Sequence, residues 1–576
     1  MGIPEKELNV IESLQNYIGG PIPEVENIQY YIFGYMVEDN HISGLGLFSC
    51  GLNVIPDSIT SLKNLKNLYL RGNNLVKISS KIFSKPNIEI LDLSENNLNV
   101  LPKITKTPET LKELHLESNN LTNLPESIGL LRNLEFLDLS DNNLKELPDT
   151  LNNLTKLKTL DLSRNKLSQY NEKINSLLSL ETLYLGNNRL TNLPESICSY
   201  VLLKRLNIRN NKLEKISDSI GSLKSLNSLF LERNNLTNLP KSIGQLKNLK
   251  YLGLKENKIV ILPEEIGSLE SLENLGLSSN NLAKLPLSIG NLNNLKRLTI
   301  RNNSLELLPE TIGKLNNIKI LRLDRNNLNS LPNSIGNLKS LEELKVSRNN
   351  LQKIPMDIGN LSLLRELNIY DNSLDSIPES ISSLKSLEIL DLSKNKIIEL
   401  PESIGELSSL KELDLSNNQL QNLAKSIGSI SSLKNLILGF NQLKTIPDSI
   451  GTLQEIETLD IGKNELETIP KSLGSLKSLK YLYLYYNELN EIPDTIGNLS
   501  SLKYLYLGNN KLKSIPKSIG NLQSLKYLFL RSNFLIKIDL EGNLPNLKYL
   551  NLERNNISTF PEFLNELENR GVKIIK

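Results

Sequence analysis

Leu65-Lys66-Asn67-Leu68-Tyr69-Leu70-Arg71-Gly72-Asn73-Asn74-Leu75 is the stretch on which the fold turns. Aligned on this spacing, the asparagine returns every 23 residues from Asn73 to Asn533, 21 times without an insertion. Cys50 holds the position one unit earlier, and Asn555 holds it after a final 22-residue step, so the chain carries 23 repeats. Five residues before each of these ladder positions stands a leucine, from Leu45 to Leu550. Leucines two apart, as in Leu68-Tyr69-Leu70, point to one face of a short strand and leave the residue between them on the other. Each repeat hides about seven aliphatic side chains at ~1.5 to 3 kcal/mol apiece, less than the cost of ordering its own backbone. A single repeat therefore cannot fold alone, and neighbours must stack into a one-dimensional solenoid.

Composition agrees with repetition rather than with several independent domains. Of 576 residues, 122 are leucine, there is no tryptophan, and 66 basic residues balance 64 acidic ones to a net charge of +2. That balance argues against a general nucleic-acid or anionic-membrane binder. Of 24 prolines, 18 sit six residues after the ladder position, so they punctuate repeats and mark no linker. Ser79, Asn171, Ser217, Ala424 and Asp539 replace that proline, where drift with local loop changes is expected. The following Ile-Gly, as in Ile128-Gly129, suggests a short helical or extended outer arc ending in a glycine-assisted turn. The ladder asparagine, whose amide both donates and accepts, suits backbone groups left unpaired where the chain turns inside the stack.

The pattern resembles the leucine-rich-repeat family over residues 42 to about 565. The second half of the unit, as in Leu236-Thr237-Asn238-Leu239-Pro240-Lys241-Ser242-Ile243-Gly244, is similar to an intracellular subclass that includes animal Ras-pathway scaffolds and plant Ras-group-related proteins. Such repeats are also common in prokaryotes. The resemblance implies an α/β solenoid: a horseshoe with a parallel concave β-sheet of about 23 strands and short helical or extended convex segments. It also implies a folded protein partner, with a small GTPase or an associated kinase or phosphatase as candidates.

Three segments are expected. Residues 1–41 form an N-terminal cap, with a helix over 5–18 carrying Leu8, Ile11, Leu14 and Ile18, then a hairpin turning at Glu38-Asp39-Asn40-His41. Residues 42–560 form the solenoid. Residues 561–576 form a C-terminal cap, a short helix followed by an edge strand. The first residues contain no apolar core of a secretory signal and no myristoylation pattern, and the last contain no lipidation cysteine, so a cytoplasmic protein without a membrane anchor is expected. Sequons such as Asn153-Leu154-Thr155 then read as by-products of an asparagine-rich repeat.

No catalytic residues are predicted. His41 and His115 have no second histidine or cysteine at ligand spacing, so no metal is expected. Cys50 and Cys198 lie some six strands apart, ~30 Å at ~4.8 Å per strand, too far for a disulfide. Phosphate-binding loops, dinucleotide fingerprints and nucleophile elbows are missing from the sequence, so no cofactor and no enzyme activity is expected.

Function is left to the concave face, at positions six, four, two and one before each ladder residue. Three zones emerge. Asp92, Glu95, Glu113, Glu117, Asp138 and Asp141 form an acidic zone with no lysine or arginine at those positions of their repeats. A basic band runs from Arg205, Arg209, Arg233 and Lys255 to Arg297, Arg301, Arg322, Arg325, Lys345 and Arg348. Against it stand Glu232, Glu256, Asp324 and Glu343. Like charges on adjacent strands repel, so the band invites an anionic partner. The last zone is aromatic: Tyr481, Tyr483, Tyr485, Tyr486, Tyr504, Tyr506, Tyr527, Phe529 and Tyr549 fill nine of the sixteen positions in four consecutive repeats, in a chain only 5% aromatic. Such a surface suits partner binding, and column stacking that merely stabilises the sheet is the competing explanation. The reading is a non-enzymatic scaffold or adaptor, with a receptor for a peptide or glycan and a substrate-recruiting subunit of an enzyme complex as alternatives.

Overall fold

A computed structural model describes residues 2–106, 108–540 and 542–576. The chain forms two compact units, Met1–Asn281 and Leu282–Lys576. Eleven repeat strands lie in the first and twelve in the second, which gives the 23 that the spacing predicts. Each unit is a parallel stack in strict register: Leu229 lies between Leu206 and Leu252, and Leu505 between Leu482 and Leu528. The leucines of each LxL point into the core, with Leu482, Leu484, Leu505 and Leu507 all wholly buried.

The ladder asparagine closes the turn after each strand. Asn119 donates from Nδ2 to Leu116 O at 3.2 Å and to Leu93 O of the preceding repeat at 3.0 Å, while its Oδ1 accepts from Leu98 N at 2.9 Å. Asn510 repeats the arrangement with Leu507 O, Leu484 O and Leu489 N. One side chain thus satisfies a backbone N–H that has no other acceptor and shares two carbonyls with the ladder asparagines on either side, since Leu116 O also accepts from Asn142 and Leu93 O from Asn96. The residue before it adopts a left-handed conformation, as at Ser118 (φ 55°) and Asn509 (φ 57°), whatever its type.

On the opposite side of the stack, nineteen arcs carry a five-residue 3-10 helix among the described residues, usually opened by proline. In Glu126–Leu130, Ile128 is buried in the core and Pro125 precedes the helix at φ −70°. Gly129 does not end a turn, contrary to the sequence-based expectation. It lies inside the helix, and a Cβ there would stand 2.3 Å from Thr150 O of the next arc, so glycine is what lets neighbouring arcs pack closely. Two of the proline replacements carry their own capping bond. Ser79 Oγ and Ser217 Oγ accept from Lys81 N and Ser219 N, doing with a side chain what proline does with a fixed φ. At Asn171 no helix forms, and the space is filled by Tyr170 and Tyr200, whose hydroxyls meet at 3.1 Å.

At the N-terminus, helix Glu5–Ile18 precedes an antiparallel hairpin, Gly34–Glu38 with His41–Gly46. Glu7 joins them, accepting from Ile42 N at 2.8 Å and meeting His41 Nδ1 at 2.9 Å. At the other end, helix Phe563–Asn569 leads to strand Lys573–Ile575, which pairs parallel with Tyr549–Asn551.

Candidate partner-binding face

The alternation that buries the leucines sends every second strand residue to the open face of the sheet. The nine C-terminal rings all lie there, none in the core. Because the strands are in register, equivalent rings stand above one another in two columns. Tyr481, Tyr504 and Tyr527 stack at centroid distances of 5.0 and 4.6 Å. Tyr483, Tyr506 and Phe529 stack at 4.8 and 4.3 Å, the last pair only 6° from parallel. Tyr549 closes both columns. Tyr485 turns edge-on to Tyr483 and lies over Gly462, where a Cβ would come within 2.5 Å of the ring. Tyr486, in a left-handed conformation, is 53% exposed, and Lys463 sits between its ring and that of Phe440.

Column packing and surface display are therefore both present. Inner rings cover each other's faces and present their edges and hydroxyls outward. Burial pushes the phenols of Tyr483, Tyr485 and Tyr506 above the ordinary value, so they keep their protons as donors at neutral pH. Among the described residues these three hydroxyls make no hydrogen bond within the protein. Elsewhere such groups are matched: Tyr251 donates to Glu232 Oε1 at 2.9 Å, and Tyr30 OH meets His115 Nε2 at 3.2 Å.

The basic band is different in the structure from its sequence picture. In the second unit Arg322 grips Glu343 through Nε at 2.6 Å and Nη2 at 3.2 Å. Arg301 Nε lies 3.1 Å from Asp324, Lys345 Nζ 2.8 Å from Glu366, and Arg348 Nε 3.8 Å from Asp371. Burial works against the charge of Glu343, yet Arg322 and Lys345 hold its carboxyl below the usual range. Repulsion is relieved from within, partly by Glu366 and Asp371 of the next repeat. Arg297 and Arg325 remain exposed and make no ion pair among the described residues. In the first unit Arg205 lies over the Phe230 ring and Arg233 pairs with Glu256 at 2.8 Å.

The acidic zone is also engaged. Arg71, one strand before it, reaches Glu95 at 2.6 Å and Glu117 at 2.9 Å. Asp92 is wholly buried and accepts from Ser94 N at 2.9 Å, and Asp138, Asp161, Asp391 and Asp414 each accept from the N–H two residues on. The recurring Leu-Asp-Leu is thus a local turn bond. Sequence reasoning missed the segment that covers this end: Tyr30 packs on Tyr69 and His115, and Tyr31 on Phe48 under Arg71. Gly44 and Gly46 were the available signal, since a Cβ at either would strike Ile28 or Ile32 of that segment.

A parallel, in-register stack of short strands with an asparagine ladder defines a leucine-rich-repeat solenoid. The pattern described as leucine-rich repeat region matches residues 194–278, 274–370, 347–439 and 471–570, and that described as leucine rich repeat matches 109–167 and 431–489. The chain belongs to the leucine-rich-repeat family. Among solved structures it is similar to a plant peptide hormone receptor, RGFR1, in complex with RGF2, with 30% identity, a TM-score of 0.72, and 92% of this chain and 89% of that one covered. The Arabidopsis receptor kinase HAESA, solved with the peptide hormone IDA and the co-receptor SERK1, shares 28% identity over 96% of this chain and 93% of its own, with a TM-score of 0.64. The Leptospira interrogans repeat protein LIC12759 shares 33% identity over 76% of this chain and 94% of its own, with a TM-score of 0.51. No curated protein sequence matches the chain. No helix among the described residues is long and apolar enough to cross a membrane.

Proposed function

We propose that this chain is a non-enzymatic binding protein that captures a protein partner on the tyrosine face of its second unit. The observation that carries the reading is the pairing of exposed ring edges with unbonded hydroxyls on a rigid, in-register platform. Rigid rings bury much area at low entropy cost, and a hydroxyl left unmatched inside the protein is available to a partner. Similar folds in the plant receptors hold peptide hormones, which supports protein or peptide recognition. A glycan is disfavoured, because sugars stack on ring faces and here the inner faces are covered by neighbouring rings. The finer reading is a cytoplasmic scaffold, with a small GTPase or its associated kinase or phosphatase as partner. It is supported by the likeness of the repeat unit to Ras-pathway scaffolds and by two free thiols, Cys50 and Cys198, which suit a reducing compartment.

The test is affinity capture from the native cell with the parent chain, with Tyr483→Ala plus Tyr506→Ala, and with both positions changed to Phe. The alanine pair is expected to lose the partner by tenfold or more while circular dichroism stays unchanged, and the phenylalanine pair to keep the stack and show what the hydroxyls contribute. Undiminished capture by the alanine pair would refute the assignment.

A further inference from the structure

The residue just before each strand forms a row along one margin of the sheet, and along most of the chain that row is neutralised by alternating signs. In the first unit Lys112 pairs with Glu89 at 2.7 Å, Lys158 with Glu135 at 2.6 Å and Lys204 with Glu181 at 2.7 Å, each one repeat apart. In the second unit the same holds for Lys319 with Glu342 at 2.8 Å and for Lys480 with Glu457 at 2.7 Å. Beyond Lys480 the alternation stops. Lys503, Lys526 and Lys548 follow in consecutive repeats, each directly before a ring of the first tyrosine column, in the recurring Lys-Tyr-Leu.

Among the described residues no carboxylate pairs with any of these three lysines. They stand about 4.8 Å apart by ordinary strand spacing, close enough to repel one another through water. Lys503 and Lys526 are half-buried and Lys548 is exposed. Where this fold keeps lysines at that margin it supplies a glutamate one repeat away, and here it does not. Tyr504, Tyr527 and Tyr549 follow the lysines directly, so cations border the ring edges along three strands.

We propose that this margin is where an acidic segment of the protein partner lies, with two or three carboxylates within about four residues meeting Lys503, Lys526 and Lys548 while adjoining side chains rest on the tyrosine columns. The proposal rests on the tyrosine face being the binding face and names the chemistry of what it takes. Opposite charges at such a border set register and speed encounter, and because the lysines are partly solvated their effect is sensitive to salt.

Fluorescence anisotropy on the full chain tests it with a labelled peptide alternating glutamate and leucine, and with its counterpart carrying glutamine for glutamate. The acidic peptide is expected to bind about tenfold tighter than the neutral one, with the difference shrinking in high salt. Lys503→Glu with Lys526→Glu is expected to abolish that preference, and Lys503→Arg with Lys526→Arg to retain it, which separates charge from folding. Equal binding of both peptides overturns the proposal. So does a preference untouched by charge reversal, or equally tight binding of a single-stranded DNA or a phosphatidylserine vesicle, which would mark a general polyanion site. If native-partner capture depends on the rings but ignores the lysine reversal, only this proposal fails. If peptide binding follows the lysines while capture ignores the rings, the proposed function fails, and with it the placement of the acidic segment against the tyrosine columns.

Discussion

Both units carry aromatic clusters on the open sheet face, but the two are finished differently. In the first, Tyr69 is 4% exposed beneath Tyr30, and His115 is 5% exposed between Tyr30 and Phe136. The N-terminal segment supplies the covering rings, and Arg71 supplies the counter-charge. In the second, the stacked rings lean chiefly on each other, with Lys463 against Tyr486 and Lys573 over Tyr549, and three hydroxyls and three bordering lysines have no side-chain partner among the described residues. The same repeat geometry thus yields one face occupied from within and one left open. What distinguishes them is how the end segments lie: in the first unit Tyr30 and Tyr31 rest on the open face, whereas helix Phe563–Asn569 and strand Lys573–Ile575 of the second extend the stack.

The comparison should vanish at the ladder, where the largest effect is expected. Asn119→Leu and Asn510→Leu each orphan one buried N–H, Leu98 N or Leu489 N, at about 1 to 3 kcal/mol, and each removes two further bonds to carbonyls shared with neighbouring asparagines, at about 1 kcal/mol apiece. Both should lower the denaturation midpoint substantially and to a similar degree by urea unfolding, and a large inequality between them would show that the two stacks differ in more than their open faces.

The next effect separates the regions. Tyr69→Ala empties a buried site and should cost about 3 kcal/mol, with partner capture unchanged. Tyr481→Ala, at the end of its column and contacting Tyr504 on one side, should cost about 1 kcal/mol and weaken capture. Paired denaturation and binding curves decide it; the reverse ranking of stability would mean that the C-terminal columns are the structural element and the N-terminal cluster the open one.

The smallest expected effect lies among the acids. Burial, with Asp138 adding to it, pushes the Asp161 carboxyl up from 3.8 to about 6, against the bonds from Ser163. A carboxyl with a raised folded pKa holds its proton more tightly in the native chain, so its contribution to stability falls as pH rises from 3.8 to about 6, and the penalty is complete at pH 7. Asp161→Asn should therefore raise stability by about 1 kcal/mol at pH 7, with the gain closing as the pH drops to 4. Asn207 already occupies the equivalent position and accepts from Arg209 N in the same way. A gain independent of pH would remove the electrostatic explanation.

Much of this was legible in one dimension. The 23-residue period requires stacking because no unit can bury enough by itself, strict period-two alternation within each strand places Leu482 inside and Tyr481 and Tyr483 outside, and constant repeat length forces the rings into columns. The sum of charges was legible too, but not its pairing. Arg322 counts as a free cation in the sequence and proves to be clasped by Glu343, because a long side chain reaches a neighbour 21 residues away that the stack brings beside it. Asp92 and Asp138 of the acidic zone looked like surface charge and are turn acceptors, a distinction that depends on contacts of 2.9 and 2.8 Å and not on residue type. Periodicity is a property of the chain and fixes which residues share a face. Whether a face is covered, and by what, depends on where non-repeating segments such as residues 23–33 come to rest, and only packing in three dimensions decides that.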